Sequence, residues 1–253
     1  MKIKEIKILS DKSFPSVRTI LSDLKQSGIT RADCLNYSIG QAFLNYLSSE
    51  LGILAVDDVT NPNHEMPHVH EVKPATNKID KHGFIPYSLT NKELPCHTED
   101  YFNSKSSNIV LFYCVRPAKT GGETYLVHID EIINKLEPFE ITFLSKKKFP
   151  TPTGLTHILS YSESEKQYHI RYSRIIINKI ATLEPKRVTQ EMIIVLDKLD
   201  KLFSEHKTIL QLPQNSCVIL DNTRVLHGRS SFDENSDRLL FRVKLNSTQL
   251  WIP

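Results

Sequence analysis

Apolar residues repeat with helical spacing in two windows near the N-terminus, residues 16–28 and 38–51. In the second window Ile39, Phe43, Tyr46, Leu47 and Leu51 form one stripe, and Gly52 follows as the expected stop. Residues 57–92 break the pattern. Asp, Asn, Pro and His dominate there, which predicts a long connection with one strand near 68–73. From Leu94 onward short strand-like runs take over, at 109–116, 155–161 paired with 168–172, 209–212, 217–221 and 239–245. Helical spacing returns at 128–136 and most clearly at 188–206, where Val188, Met192, Val195, Leu199 and Leu202 recur every three or four residues. Many short strands with one clear covering helix predict a mostly β fold, a sandwich or barrel carrying helices on one outer face.

Composition narrows the class without changing that picture. With 253 residues, 40% of them hydrophobic, the chain can bury a full core, and a single catalytic domain over 1–253 is expected. The net charge of +3 comes from 32 basic and 29 acidic residues, and the longest like-charge block is Lys146-Lys147-Lys148. That argues against nucleic acid or a membrane as partner and leaves a small-molecule substrate. Cys34, Cys96, Cys114 and Cys217 are far apart and form no CxxC pair, so they read as reduced thiols. The first residues alternate lysine with apolar side chains, and the longest apolar run is 109–115, so a soluble cytoplasmic protein is expected.

The candidate chemistry starts at Leu94-Pro95-Cys96-His97-Thr98-Glu99-Asp100. If this segment is extended, His97 and Glu99 share a face while Thr98 and Asp100 point away, a geometry suited to two metal ligands. His227 lies downstream, after an apolar run ending at Leu220. Two histidines and one carboxylate on one face of iron leave positions for a co-substrate and oxygen. An HxE alone is a short and common pattern.

The wider pattern is similar to the taurine dioxygenase and clavaminate synthase group (the TauD/TfdA superfamily) of iron(II)- and 2-oxoglutarate-dependent oxygenases, in stretches between residues 85 and 245. His97-Thr98-Glu99 resembles the group's first two ligands, in the glutamate form of its clavaminate synthase-like members. Gly121-Gly122-Glu123-Thr124 resembles a Gly-Gly-x-Thr turn whose threonine contacts 2-oxoglutarate. The segment Asp221-Asn222 through His227-Gly228-Arg229 resembles the one carrying the distal histidine, and Arg238, eleven residues after His227, falls where the taurine branch keeps its 2-oxoglutarate arginine. The resemblance implies a double-stranded β-helix (jelly-roll) core with N-terminal helices. It implies Fe(II) on His97, Glu99 and His227, 2-oxoglutarate held by Thr124 and Arg238, and O2 as oxidant. Because the glutamate follows one branch and the arginine spacing the other, neither branch's substrate carries over.

Physical chemistry supports the arginine. A carboxylate buried in a barrel needs a cation, and the planar guanidinium fork suits it better than a lysine. In an extended 238–245 segment Arg238, Leu240 and Arg242 share a face, which makes Arg242 a candidate for the substrate, alongside Tyr87, Ser88, Asn91 and Tyr101 around the first ligands. A spare arginine fits a small carboxylate-bearing substrate, an amino acid or a derivative of specialised metabolism, to be hydroxylated, desaturated or epoxidised. Glu99 leaves no vacancy for a halide, so halogenation is disfavoured. The alternatives are a zinc hydrolase or isomerase on the same three ligands and a non-catalytic β-barrel binding module. His68 and His70 have ligand-like spacing without a third partner, and Trp251 reads as a core anchor.

Overall fold

The computed structural model describes residues 3–54, 69–74, 87–103, 106–248 and 250. His68 and Trp251 lie outside them, as does the 57–68 part of the expected connection. The chain begins with β1 (Lys4–Ile8), α1 (Val17–Ser27), β2 (Ile29–Cys34), α2 (Tyr37–Glu50) and β3 (Ile53–Leu54). It continues through β4 (His70–Val72), β5 (Leu94–His97), β6 (Ile109–Arg116) and β7 (Thr124–His128). Next come α3 (Ile129–Ile133), α4 (Pro138–Lys146), the hairpins β8 (Phe149–Thr151) with β9 (Gly154–Thr156) and β10 (Leu159–Ser162) with β11 (Gln167–Ile170), then α5 (Arg174–Leu183) and α6 (Gln190–His206). The last strands are β12 (Thr208–Leu210), β13 (Ser216–Asp221), β14 (Val225–Arg229) and β15 (Leu239–Asn246).

Two sheets carry the architecture. The larger has the order β1-β2-β13-β6-β15-β3 with β4 also paired to β15, and the smaller has the order β12-β7-β14-β5. Their inner faces meet through Val110, Phe112, Cys114, Val218, Leu220 and Leu240 from one sheet and Leu126, Leu210 and Val225 from the other. Alternation sets this layering. In β15, Leu240 faces the inter-sheet core while Phe241, Val243 and Leu245 face the opposite side.

That opposite side is covered by α1 and α2, through Ile20, Leu24, Phe43, Leu44 and Leu47. The outer face of the smaller sheet packs on α3, α5 and α6, through Ile132, Ile177, Met192, Leu196, Leu199 and Phe203. Helices therefore cover both outer faces, and the expectation of one covered face is corrected. The reason is that β6 and β13 are apolar on both sides, with every residue of β13 buried, so the larger sheet needs a cover of its own.

The ends of α1 follow local rules: Ser16 Oγ accepts from the Thr19 amide, and Gly28 closes the helix at φ 72°. Gly52 has a different role from the expected helix stop. The cap of α2 is Leu51 in right-handed conformation, and a β-carbon at Gly52 would stand 2.6 Å from the Asn246 carbonyl oxygen at the end of β15. The expected hairpin from 155 also divides, residues 154–156 pairing back to β8 and only 159–162 pairing forward to β11. Among the described residues no helix is long and apolar enough to cross a membrane.

Candidate active site

β5 and β14 are antiparallel neighbours, with His97 directly opposite His227. Directly opposed residues project from the same face, and the two imidazole centroids lie 4.5 Å apart. Gly228 permits this approach at a register shift in the ladder, since a β-carbon there would meet the Leu94 carbonyl oxygen at 2.6 Å. Phe112, across the sandwich on β6, packs its ring 4.9 Å from that of His227.

Glu99 arrives by a turn. The strand ends at His97, two residues short of Glu99, and Asp100 adopts φ 60°, so strand alternation is not what aligns His97 with Glu99. Three side-chain anchors shape the turn instead. Thr98 Oγ1 accepts from the Tyr172 amide at 2.9 Å. The buried Asn222 accepts from the Glu99 amide at 2.8 Å and donates through Nδ2 to the carbonyls of Glu99 and Ser107, at 3.3 and 2.8 Å. The Asp100 carboxylate takes the Ser107 amide and hydroxyl and pairs with buried Lys244 of β15. Asn222 is itself held by an Asx-type turn, in which Asp221 accepts from the amide and hydroxyl of Thr223 at 2.9 and 2.7 Å and pairs with Arg224 at 3.1 Å.

The outcome is a cluster of His97, Glu99 and His227 whose ligand atoms all lie within 4.8 Å of one another. Glu99 Oε1 is 3.3 Å from His227 Nε2 and 4.0 Å from His97 Nε2. His97 Nδ1 donates to the Pro95 carbonyl at 2.9 Å, which turns the Nε2 lone pair toward the other two ligands. Burial, and then the nearby His227, lower the His97 pKa to about 4, so at neutral pH it presents an uncharged imidazole. Burial alone would raise the Glu99 carboxyl. Arg242, whose Nη1 lies 2.9 and 3.0 Å from the two carboxylate oxygens, together with His227 holds it well below the usual range. Two imidazole nitrogens and one ionised carboxylate, convergent and largely buried, form a donor set that would fit iron(II).

The second half of the site surrounds Arg238. Gly121 and Gly122 turn with φ 71° and 74°, and a β-carbon on Gly122 would sit 3.2 Å from Arg238 Nε, so the turn doubles as a cradle for that side chain. Thr124 follows, buried at the start of β7. Arg238 is only 4% exposed, its guanidinium stands 5.3 Å from the Phe232 ring centroid, and burial lowers its pKa to about 10. It has no carboxylate partner among the described residues. A register shift between Leu239 and Leu240 interrupts the simple alternation expected there. Both arginines still reach the sandwich interior, Arg242 against Glu99 and Arg238 against Gly122.

The expected substrate residues divide. Arg242 is beside the triad. Tyr101 is a correction: its ring is 1% exposed within the core under the smaller sheet, and its hydroxyl donates to the Pro150 carbonyl at 3.1 Å. Asn91 is engaged with Phe232, Nδ2 donating to its carbonyl at 3.2 Å and the Phe232 amide donating to the Asn91 carbonyl at 3.0 Å. Tyr87 is 43% exposed, and the Ser88 side chain lies outside the described atoms. Sequence reasoning singled out neither Asn222 nor Lys244 as functional. The only signal for Asn222 was its place in the segment leading to His227, and for Lys244 its two-residue offset from Arg242.

A two-sheet sandwich with His97, Glu99 and His227 converging on its inner face defines a β fold carrying a cluster that could hold a metal ion. The comparisons with known proteins add the family. The family model described as "Taurine catabolism dioxygenase TauD, TfdA family" matches residues 38–148 and 152–244, and the chain belongs to that family. It is 26% identical over 176 residues to the mitochondrial trimethyllysine dioxygenase of Bos taurus, covering 57% of this chain and 38% of the relative. The Mus musculus counterpart is 27% identical over 177 residues with the same coverage. The chain thus spans well under half the length of the curated relatives it matches. Among solved structures, an asparagine oxygenase in complex with Fe(II), 2S,3S-3-hydroxyasparagine and succinate superposes with TM-score 0.72 at 17% identity, covering 93% of this chain and 81% of that one. The non-heme iron oxygenase OrfP in complex with Fe and alpha-ketoglutaric acid superposes with TM-score 0.67 at 18% identity, covering 91% and 79%.

Proposed function

We propose that the chain is an iron(II)- and 2-oxoglutarate-dependent dioxygenase that oxidises a small carboxylate-bearing amino acid or amino-acid derivative, on a core read as a double-stranded β-helix. The observation that carries this reading is the convergence of His97, Glu99 and His227 within 4.8 Å inside the sandwich. Iron(II) bound there supplies oxygen activation, coupled to conversion of 2-oxoglutarate to succinate and carbon dioxide. Everything else falls to the chain. Arg242 keeps Glu99 ionised and ready as a ligand. Arg238 and Thr124 receive the far carboxylate of 2-oxoglutarate, whose burial would otherwise be strongly disfavoured.

Substrate class rests on two supports. Arg242 sets a guanidinium beside the metal ligands, where a substrate carboxylate would lie next to the oxidising centre. The relatives also act on amino acids by their names: trimethyllysine, asparagine, and in one OrfP complex a hydroxylated arginine. The zinc hydrolase alternative has no use for a buried cation such as Arg238.

The test is succinate formation from 2-oxoglutarate with iron(II), ascorbate and a panel of free and N-methylated amino acids. At least one should raise succinate above the uncoupled background and appear as an oxidised product by mass spectrometry. No succinate under any condition would overturn the assignment.

A further inference from the structure

We propose that Arg229 is a second arginine of the co-substrate pocket, donating its Nε–H to the far carboxylate of 2-oxoglutarate alongside Arg238; this rests on the co-substrate reading above. Arg229 lies on β14 two residues beyond His227, hence on the same face of the strand, and pairs in register with Thr124 of β7. Its side chain therefore enters the layer that holds the metal cluster at one end and Thr124 at the other. The guanidinium carbon stands 4.7 Å from the Phe232 ring centroid, and that of Arg238 stands 5.3 Å from the same ring. The two cations thus share one aromatic ring.

Arg229 is 5% exposed, and among the described residues no carboxylate faces it. Nη2 donates to the carbonyls of Thr90 and Lys92 at 2.8 and 2.7 Å, whereas Nε is buried with no acceptor among the described residues. Two buried guanidiniums with no anion between them are held at a cost that one carboxylate would relieve for both. A bond to main-chain carbonyls alone accounts for Nη2, and a neutral amide could make it. It accounts for neither the charge nor the unused Nε–H.

The test compares two keto acids with the same chelating end, 2-oxoglutarate and 2-oxobutyrate, which lacks the far carboxylate. Each is titrated calorimetrically into the manganese(II)-loaded protein, wild type, Arg229→Gln and Arg229→Lys, with thermal unfolding of the metal-free proteins as the fold control. Arg229→Gln should bind 2-oxoglutarate on the order of ten- to a hundredfold more weakly, the range for loss of a hydrogen bond to a charged group. Its affinity for 2-oxobutyrate should change by less than about threefold. Arg229→Lys, which keeps the charge without the Nε donor, should fall between, and it carries the test if the glutamine variant fails to fold. A wild type that prefers 2-oxoglutarate beside variants that lose both keto acids alike, or neither, overturns the role of Arg229 alone. A wild type that does not distinguish the two acids overturns the co-substrate reading and this inference with it.

Discussion

At the scale of single residues, the site depends on groups outside the His97, Glu99 and His227 cluster. Asn222 satisfies the Glu99 amide and carbonyl together with the Ser107 carbonyl, so it connects the loop bearing the carboxylate ligand to the turn from which β14 carries His227. Asn222→Ala should cost about 1–3 kcal/mol of unfolding free energy, as expected for buried partners left unsatisfied. It should also weaken manganese(II) binding on the order of tenfold or more, as loss of a residue supporting a ligand does. Urea unfolding of the metal-free protein and calorimetric titration of the metal separate the two effects, and an unchanged metal affinity would deny Asn222 any part in placing Glu99. At Arg238, truncation to Ala should raise the 2-oxoglutarate concentration required for succinate formation by at least roughly a hundredfold. Arg238→Lys should recover part of that, because a point charge lacks the guanidinium fork. An unchanged titration for Arg238→Ala would remove the arginine from the pocket.

At the scale of elements, the informative piece is the turn from Thr98 to Asp100. The sequence pattern treats His97 and Glu99 as alternate residues of one strand, yet the strand stops at His97 and long-range contacts with Tyr172, Asn222 and Lys244 set the rest. Lys244 and Asp100 are both at most 5% exposed. Lys244→Met should therefore lower stability by about 3–5 kcal/mol, since it strands a buried carboxylate without its cation. Adding Asp100→Asn should restore part of the loss. Equilibrium denaturation of the single and double variants checks this, and additive losses in the double variant would mean the two groups do not act as a pair. The helices are simpler. The spacing of Val188, Met192, Val195, Leu199 and Leu202 and the caps at Ser16 and Gly28 are local signals, so α1, α2 and α6 were readable within a few residues. The short α4 and α5 lack a comparably long stripe and emerged only in the structure.

At the scale of the molecule, the two sheets with helices on both outer faces bury all four thiols. Burial raises Cys34 to about 11 and Cys96 and Cys114 to about 12, and lifts Cys217 well above its ordinary value. The native protein should resist iodoacetamide at pH 8 and take up label at all four positions only in denaturant, by intact-mass measurement. Rapid labelling of the native state would mean that a core opens readily. The same burial explains what was legible in advance. Residue types and spacings are local and survive in one dimension, so the sequence by itself determined His97, Glu99 and His227 as the candidate ligand set, the Gly-Gly-x-Thr turn, Arg238 as the candidate co-substrate cation, the family pattern and the longer helices. The tertiary structure alone decided the rest, because it depends on which distant strands become neighbours. It set the β5–β14 pairing that opposes His97 to His227, the withdrawal of Tyr101 into the core, the convergence of Asn222 and Lys244 on the carboxylate turn, and the meeting of Arg229 and Arg238 at Phe232. All but the Arg229–Phe232–Arg238 meeting join residues far apart in the chain, and a contact between distant residues is fixed by packing two sheets and their helices together, which no local periodicity encodes.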